Sequence, residues 1–146
     1  PGRWAVRKYV FFASNTLNVA ARMRFYPDQY LGHATDMYAA LTTHLQEELR
    51  RHQDLLENAY AKGDGGLGQS ISIVDVYVAC ICRWLMLYPK NENKEWCQIS
   101  TWPHLYAMTE RLEACECTKA AITAEGLGPK PFTRPVYPSP PEGSVM

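Results

Sequence analysis

Cysteine, histidine and acidic side chains that could do chemistry are few and scattered in this 146-residue chain. Two cysteine pairs are separated by one residue, Cys80 with Cys82 and Cys115 with Cys117. In a helix the members of such a pair point about 200° apart, so they can neither chelate one metal nor form a disulfide. No histidine pair has the spacing of a zinc site; the four are His33, His44, His52 and His104. No serine–histidine–acid order can be assigned either, so we predict no metal site and no catalytic residue.

Three glycines, Gly63, Gly65 and Gly68, match the spacing of a dinucleotide-binding loop. That loop needs a strand before it and a parallel sheet around it. A long helical pattern precedes these glycines and no alternating strand pattern is evident. We therefore interpret them as a connection between two helices.

The sharpest local signal is Ser72-Ile73-Val74-Asp75. The Ser72 hydroxyl can accept a hydrogen bond from the Asp75 amide, and the Asp75 carboxylate can accept one from the Ser72 amide, as in a capping box. Ile71 and Val76 are spaced for a hydrophobic staple beside it. The pattern predicts a helix start and a structural role for both polar residues.

Apolar residues recur with a helical period along the chain, which predicts an all-α bundle of about five to six helices. Four of the predicted helices cover residues 3–24, 35–61, 72–87 and 118–125. Another begins at Pro103 and has Cys115 on its apolar face. The third is apolar on every face and should be central. Six prolines after residue 128 predict an extended tail. The domain should span 1–128 and the tail 129–146.

Fifteen basic and fifteen acidic side chains cancel, which gives no general attraction to nucleic acid or to an anionic membrane. No apolar run is long enough to span a bilayer. Five cysteines without a signal peptide favour a reduced, cytoplasmic protein. A chain beginning at Pro1 is expected to be trimmed, processed or a fragment. The first helix contains basic residues, and no acidic residue precedes Asp28. These basic side chains either form a solvated face or lie beside an anionic ligand.

Three stretches together resemble the C-terminal domain of cytosolic glutathione transferases, closest to bacterial beta-class members. They are FFASNTLN at 11–18, SIVDVY at 72–77 followed by Arg83-Trp84, and WPHL at 102–105 with AEGL at 124–127. In that family a thioredoxin-like domain binds glutathione and carries the catalytic Cys, Ser or Tyr. An all-helical domain follows it. Nothing in this chain resembles the first domain, so the resemblance implies that the catalytic half is absent from it.

The resemblance also implies roles for five residues. Asn15 and Thr16 match positions that touch glutathione bound to the other subunit of a dimer, although Thr16 stands where relatives have a glutamate and cannot pair with an ammonium group. Asn18, Val19 and Trp84 match positions that line the electrophile pocket. Core packing remains an alternative for Trp84, and a helix-surface pair for Asn15 and Thr16.

The function so implied is that of an electrophile-pocket and dimerisation domain of a detoxifying glutathione transferase. Its partners would be glutathione as co-substrate, a small hydrophobic electrophile, a thioredoxin-like domain and a second subunit. The fragment alone is not expected to be catalytic. The alternative is a non-catalytic binding or assembly module. In either case the face bearing Tyr9, Phe12 and Trp84 should be partly uncovered without its partner domain.

Overall fold

The structure is a computed structural model that describes the backbone of residues 2–139 and the side chains from residue 6 to 139. Within this range it has six α-helices and no strand, which confirms the all-α prediction. Helix α1 is α-helical over Gly2–Phe12, π-helical over Ala13–Leu17 and α-helical again over Asn18–Phe25. The others are α2 (Pro27–Leu31), α3 (Tyr38–Ala61), α4 (Ile73–Leu87), α5 (Pro103–Ala114) and α6 (Glu116–Glu125). Pro1 and residues 140–146, including Pro140 and Pro141 of the predicted tail, lie outside the described residues.

The π-helical segment changes which face of α1 is buried. The Asn18 amide donates to the Ala13 carbonyl, five residues back, so the helix takes one extra residue in this turn. Tyr9, Ala13 and Leu17, spaced four apart, are all buried. In an α-helix, residues four apart are rotated by about 40° about the helix axis. The wider π-helical turn offsets that rotation, so the three side chains stay on one face. Val19, on another side of the helix, is 41% exposed.

Helix α4 is the core of the bundle. Val74, Val78, Ile81 and Leu85 are fully buried, as expected for a helix that is apolar on every face. Helices α1 and α5 and the turn at Glu95–Cys97 pack around it. Helix α3 contacts it through hydrogen bonds from Tyr60 to Asp75 and from Gln53 to Cys82. The predicted central position of this helix is therefore what the structure shows.

Both hydrogen bonds of a capping box are present at the start of α4. The Ser72 amide and hydroxyl each lie 2.6 Å from Oδ2 of Asp75. The other carboxylate oxygen accepts the Tyr60 hydroxyl at 2.6 Å. Asp75 is 1% exposed, whereas Ile71 and Val76 remain 44% and 39% exposed. The start of the helix is thus held by buried polar contacts.

Helix α5 begins at Pro103, where a proline is tolerated because the first amide of a helix has no intrahelical acceptor. It ends at Ala114, and Cys115 is extended with ψ 136°. The prediction that Cys115 continues this helix is wrong. Helix α6 begins at Glu116, two residues before the predicted start, so the chain bends between two helices at Cys115.

The described part of the Pro-rich tail is attached to α4 and α5. The buried Arg83 side chain donates to the carbonyl oxygens of Pro131 and Val136, each at 3.0 Å. Glu113, also buried, accepts the amides of Phe132 and Thr133 at 2.9 and 2.8 Å. These contacts hold non-helical backbone against the bundle as far as residue 139.

Candidate functional site

An open cleft of about 700 Å³ lies between the C-terminal half of α1 and the end of α4. Helix α1 and the residue after it supply Asn18 and three larger side chains, and the end of α4 supplies two aromatic rings and a proline. The lining residues are Asn18, Arg22, Phe25, Tyr26, Trp84, Tyr88 and Pro89. Four aromatic rings in one cleft provide a wide apolar surface with polar groups at one side.

Two of the five predicted site residues, Asn18 and Trp84, meet in this cleft. They are far apart in sequence and lie on the two helices that form its walls. Trp84 is 37% exposed although it belongs to the central helix, so its ring faces the cleft rather than the buried core. Asn18 is half-buried. The resemblance assigned both residues to an electrophile pocket, and that role stays a prediction.

The other three predicted residues do not line the cleft. Asn15 and Val19 are exposed on the outer side of α1, and Thr16 is half-buried. Asn15 and Thr16 lie inside the π-helical segment, a feature that often accompanies functional positions in helices. These residues therefore form a separate surface from the cleft.

Sequence reasoning missed Arg22, Phe25, Tyr26, Tyr88 and Pro89 as cleft residues. A usable signal was present, because an aromatic residue precedes a proline at the end of both helices, Tyr26 before Pro27 and Tyr88 before Pro89. Such residues leave the helical region, so their rings can turn from the helix axis toward a neighbour. The Tyr88–Pro89 peptide bond is cis.

The polar side of the cleft carries one cation. Nη2 of Arg22 donates to Oε1 of Gln29 at 3.0 Å, and the guanidinium remains exposed to solvent. The Asn18 amide offers both donor and acceptor atoms. A flat apolar molecule with one anionic or hydrogen-bond-accepting group suits this combination. None of the lining residues is a carboxylate or a thiol, and the hydroxyls of Tyr26 and Tyr88 are further polar groups among them.

The exposed apolar surface of α1 differs from the predicted one. Tyr9 is buried, so its predicted exposure is wrong. Phe12 is half-buried with its ring 5.5 Å from that of His52, edge to face. The large exposed apolar residues on this helix are instead Phe11 at 64% and Val19 at 41%, followed by Tyr26 at its end.

A second cluster with ionisable groups lies between α1 and the loop after α3. The Tyr9 hydroxyl donates to Oδ2 of Asp64 at 2.5 Å, and Nζ of Lys8 lies 3.3 Å from the same oxygen. Burial, followed by the Asp64 hydrogen bond, raises the pKa of Tyr9. A tyrosine with a raised pKa stays protonated near neutral pH and is a poor nucleophile or base. The cluster joins α1 to the loop.

Among the described residues, no group of three or more histidine, cysteine or acidic side chains is arranged to hold a metal ion. No helix in the described range combines the length and apolar character that crossing a bilayer requires. Comparison of the chain with protein-family models, with curated proteins and with solved structures finds no match. The cleft and the fold are therefore the basis for a functional proposal.

Proposed function

We propose that this helical domain binds a small, flat, apolar electrophile in the cleft between α1 and α4. One observation carries the proposal: Asn18 and Trp84, which the resemblance to glutathione transferases assigns to the electrophile pocket, line the same cleft. Aromatic walls suit such a ligand because rigid rings provide contact area with little loss of side-chain entropy. The exposed Arg22 favours ligands with an acceptor or anionic group at one edge.

In this proposal the chemistry belongs to a separate thioredoxin-like domain. That domain would bind glutathione and stabilise its thiolate, which would attack the electrophile or a disulfide. The outer side of α1 would meet the second subunit, with Asn15 near the glutathione of that subunit. The exposed Phe11 and Val19 support a protein contact on this side. We also propose a cytoplasmic location, which suits five free cysteines.

A non-catalytic binding or assembly module is the second candidate. Thr16, half-buried in the π-helical segment, carries a hydroxyl where the family has a glutamate. A neutral hydroxyl cannot pair with the ammonium group of glutathione, and this favours a module without glutathione chemistry. The coding sequence upstream of Pro1 discriminates the two, because a thioredoxin-like segment there favours the enzyme and a different domain favours assembly.

The cleft is tested by titrating the chain with an anionic aromatic dye while following tryptophan fluorescence. We expect saturable quenching that the Trp84→Phe variant loses. The Arg22→Gln variant should weaken binding about tenfold, since a charged hydrogen bond contributes about 1.5 kcal/mol. Val19→Ala on the outer side of α1 serves as the matched control and should bind as the unaltered chain does. Quenching that is unchanged in Trp84→Phe would place the dye elsewhere and reject the cleft.

The glutathione part has its own test. A thioredoxin-like domain is joined ahead of the chain, as in the family. The joined protein is assayed for glutathione binding and for conjugation of an electrophile that competes with the dye for the cleft. Conjugation that depends on Trp84 is the expected result. A joined protein that folds, binds the dye and has no glutathione affinity would leave only the binding module.

A further inference from the structure

The bend between α5 and α6 brings two thiols together. Cys115 is extended, with φ −69° and ψ 136°, and it occupies the position just before the first residue of α6. Cys117 lies in the first turn of that helix. The two Sγ atoms are 2.6 Å apart. Because Cys115 is outside the helix, the 200° separation expected of a helical pair does not apply.

This pair is more accessible than Cys82 and Cys97. Cys115 and Cys80 are half-buried and Cys117 is exposed, whereas Cys82 and Cys97 are buried. Burial raises the pKa of Cys82 to about 12 and that of Cys97 to about 11. Burial also raises the pKa of Cys80. A thiol with a raised pKa is inert near neutral pH because the thiolate is the nucleophile.

The position of Cys115 favours its thiolate. The hydrogen bond with the Cys117 thiol, followed by the backbone amides of Cys117 and Thr118, lowers the pKa of Cys115. The first amides of a helix have no intrahelical acceptor, and the helix dipole adds a positive potential there. The Glu116 carboxylate opposes this effect, but Nζ of Lys119 lies 2.7 Å from it and offsets its charge.

We propose that Cys115 and Cys117 form a redox-active dithiol that closes to an intramolecular disulfide by exchange with a small organic disulfide. The bend places the two sulfurs in direct contact, which is the juxtaposition that a disulfide bond requires. The proposal is independent of the cleft, because it uses neither the cleft residues nor a second domain.

The exchange takes two steps that balance. The Cys115 thiolate attacks one sulfur of the small disulfide, forms a mixed disulfide and expels one thiolate. The Cys117 thiol then releases its proton to solvent, and its sulfur attacks Sγ of Cys115. The bond between Cys115 and the small thiol breaks, and the second thiolate leaves. The protein dithiol loses two electrons, and the small disulfide is reduced to two thiols.

The test uses the whole chain, equilibrated with mixtures of reduced and oxidised glutathione as the probe couple. Free thiols are alkylated without unfolding, and intact mass and peptide maps are recorded. The oxidised chain should lose two hydrogens and carry no glutathione, with a disulfide-linked peptide containing residues 115 and 117. The Cys117→Ser variant should instead accumulate glutathione on Cys115. The Cys115→Ser variant should react several-fold more slowly, at Cys117, and Cys80→Ser should behave as the unaltered chain.

Two results would overturn the proposal. One is an unaltered chain that accumulates glutathione adducts to the same extent as the two single variants, which would mean that the pair does not close. The other is an internal disulfide that persists in Cys115→Ser, which would assign the oxidation to different cysteines. Where a variant folds poorly, the unaltered chain alone decides, because the proposal requires a disulfide-linked peptide containing residues 115 and 117 and no bound glutathione.

Discussion

The Tyr60 hydroxyl, near the end of α3, donates to the buried Asp75 carboxylate at the start of α4, with 2.6 Å between the oxygens. Asp75 thereby serves two elements, because its other oxygen caps its own helix through Ser72. Burial, and then the bond to Asp75, raises the pKa of Tyr60, so the hydroxyl stays protonated and remains a donor. The cap of the central helix is therefore also a contact between helices.

Removing that hydroxyl should destabilise the fold. In Tyr60→Phe, one buried oxygen of Asp75 loses its partner, which costs about 1–3 kcal/mol. Tyr106→Phe is the control, since Tyr106 also packs on the core and its substitution should change stability by less than about 0.5 kcal/mol. Urea unfolding followed by circular dichroism measures both. Equal stabilities for the two variants would contradict the structural role of the contact.

Gly126, at the end of α6, allows the tail to approach the helix. Its φ is 61°, and a Cβ placed there would lie 1.9 Å from the Ser139 carbonyl oxygen. Gly126→Ala should therefore displace the tail as well as strain the backbone. In Gly32→Ala only the strain should appear, because φ is 55° with open space around it. We expect about 1 kcal/mol from strain in Gly126→Ala, where the backbone is left-handed helical, and more in Gly32→Ala, whose ψ of −123° is accessible essentially only to glycine.

The difference between these glycine variants should appear in limited proteolysis. Chymotrypsin should cleave after Phe132, which is buried in the attached tail, many times faster in Gly126→Ala than in Gly32→Ala, because the released tail reaches the protease. Similar cleavage rates in the two variants would show that the close approach of Ser139 does not hold the tail.

Glu57, on α3, should make the stability of the fold depend on pH. It accepts the His104 and Leu105 amides, each at 3.0 Å, and the His104 ring at 2.6 Å. Burial alone would raise its pKa, but these hydrogen bonds outweigh burial and lower it from 4.5. A carboxyl with a lowered folded pKa stabilises the fold above about pH 4.5, and this contribution is lost as the pH falls through the folded pKa.

The matching experiment compares Glu57→Gln with the unaltered chain across pH 3–7, a window set by that lowered pKa. We expect a loss of about 1 kcal/mol at neutral pH, as for a removed helix cap. The difference should shrink below about pH 4. Glu110→Gln, at an exposed position on α5, should show no such trend. A pH-independent loss in Glu57→Gln would mean that the carboxylate charge has no part in the cap.

Replacing Glu92 should destabilise the fold more than replacing Arg24, its partner in an ion pair. Arg24 is 4% exposed and Glu92 is 37% exposed, and the guanidinium also stacks 5.0 Å from the Trp96 ring. Glu92→Gln leaves a buried cation unpaired and should cost about 2 kcal/mol, which is below the range for a fully buried pair because Glu92 is partly exposed. Arg24→Met leaves only a solvated carboxylate and should cost less. Equal losses in urea unfolding would contradict this order.

Short-range patterns predicted the helices well because a helix is a local structure. The period of apolar residues predicted α3 and α4. Ser72 and Asp75, three residues apart, predicted the start of α4. The same local rules failed where a distant group intervened. No residue near Pro103 predicts the cap of α5, because Glu57 supplies it from another helix.

The amino-acid sequence by itself determined that this chain is a helical bundle with α4 at its centre, since periodicity and capping act within a few residues. Only the tertiary structure decided which side chains from distant segments meet. Packing between distant segments brings Asn18 to Trp84, and the bend at Cys115 turns its thiol toward Cys117. Val19, which was predicted for the same pocket as Asn18 and Trp84, lies outside the cleft. Such distances depend on helix packing, which no local pattern encodes.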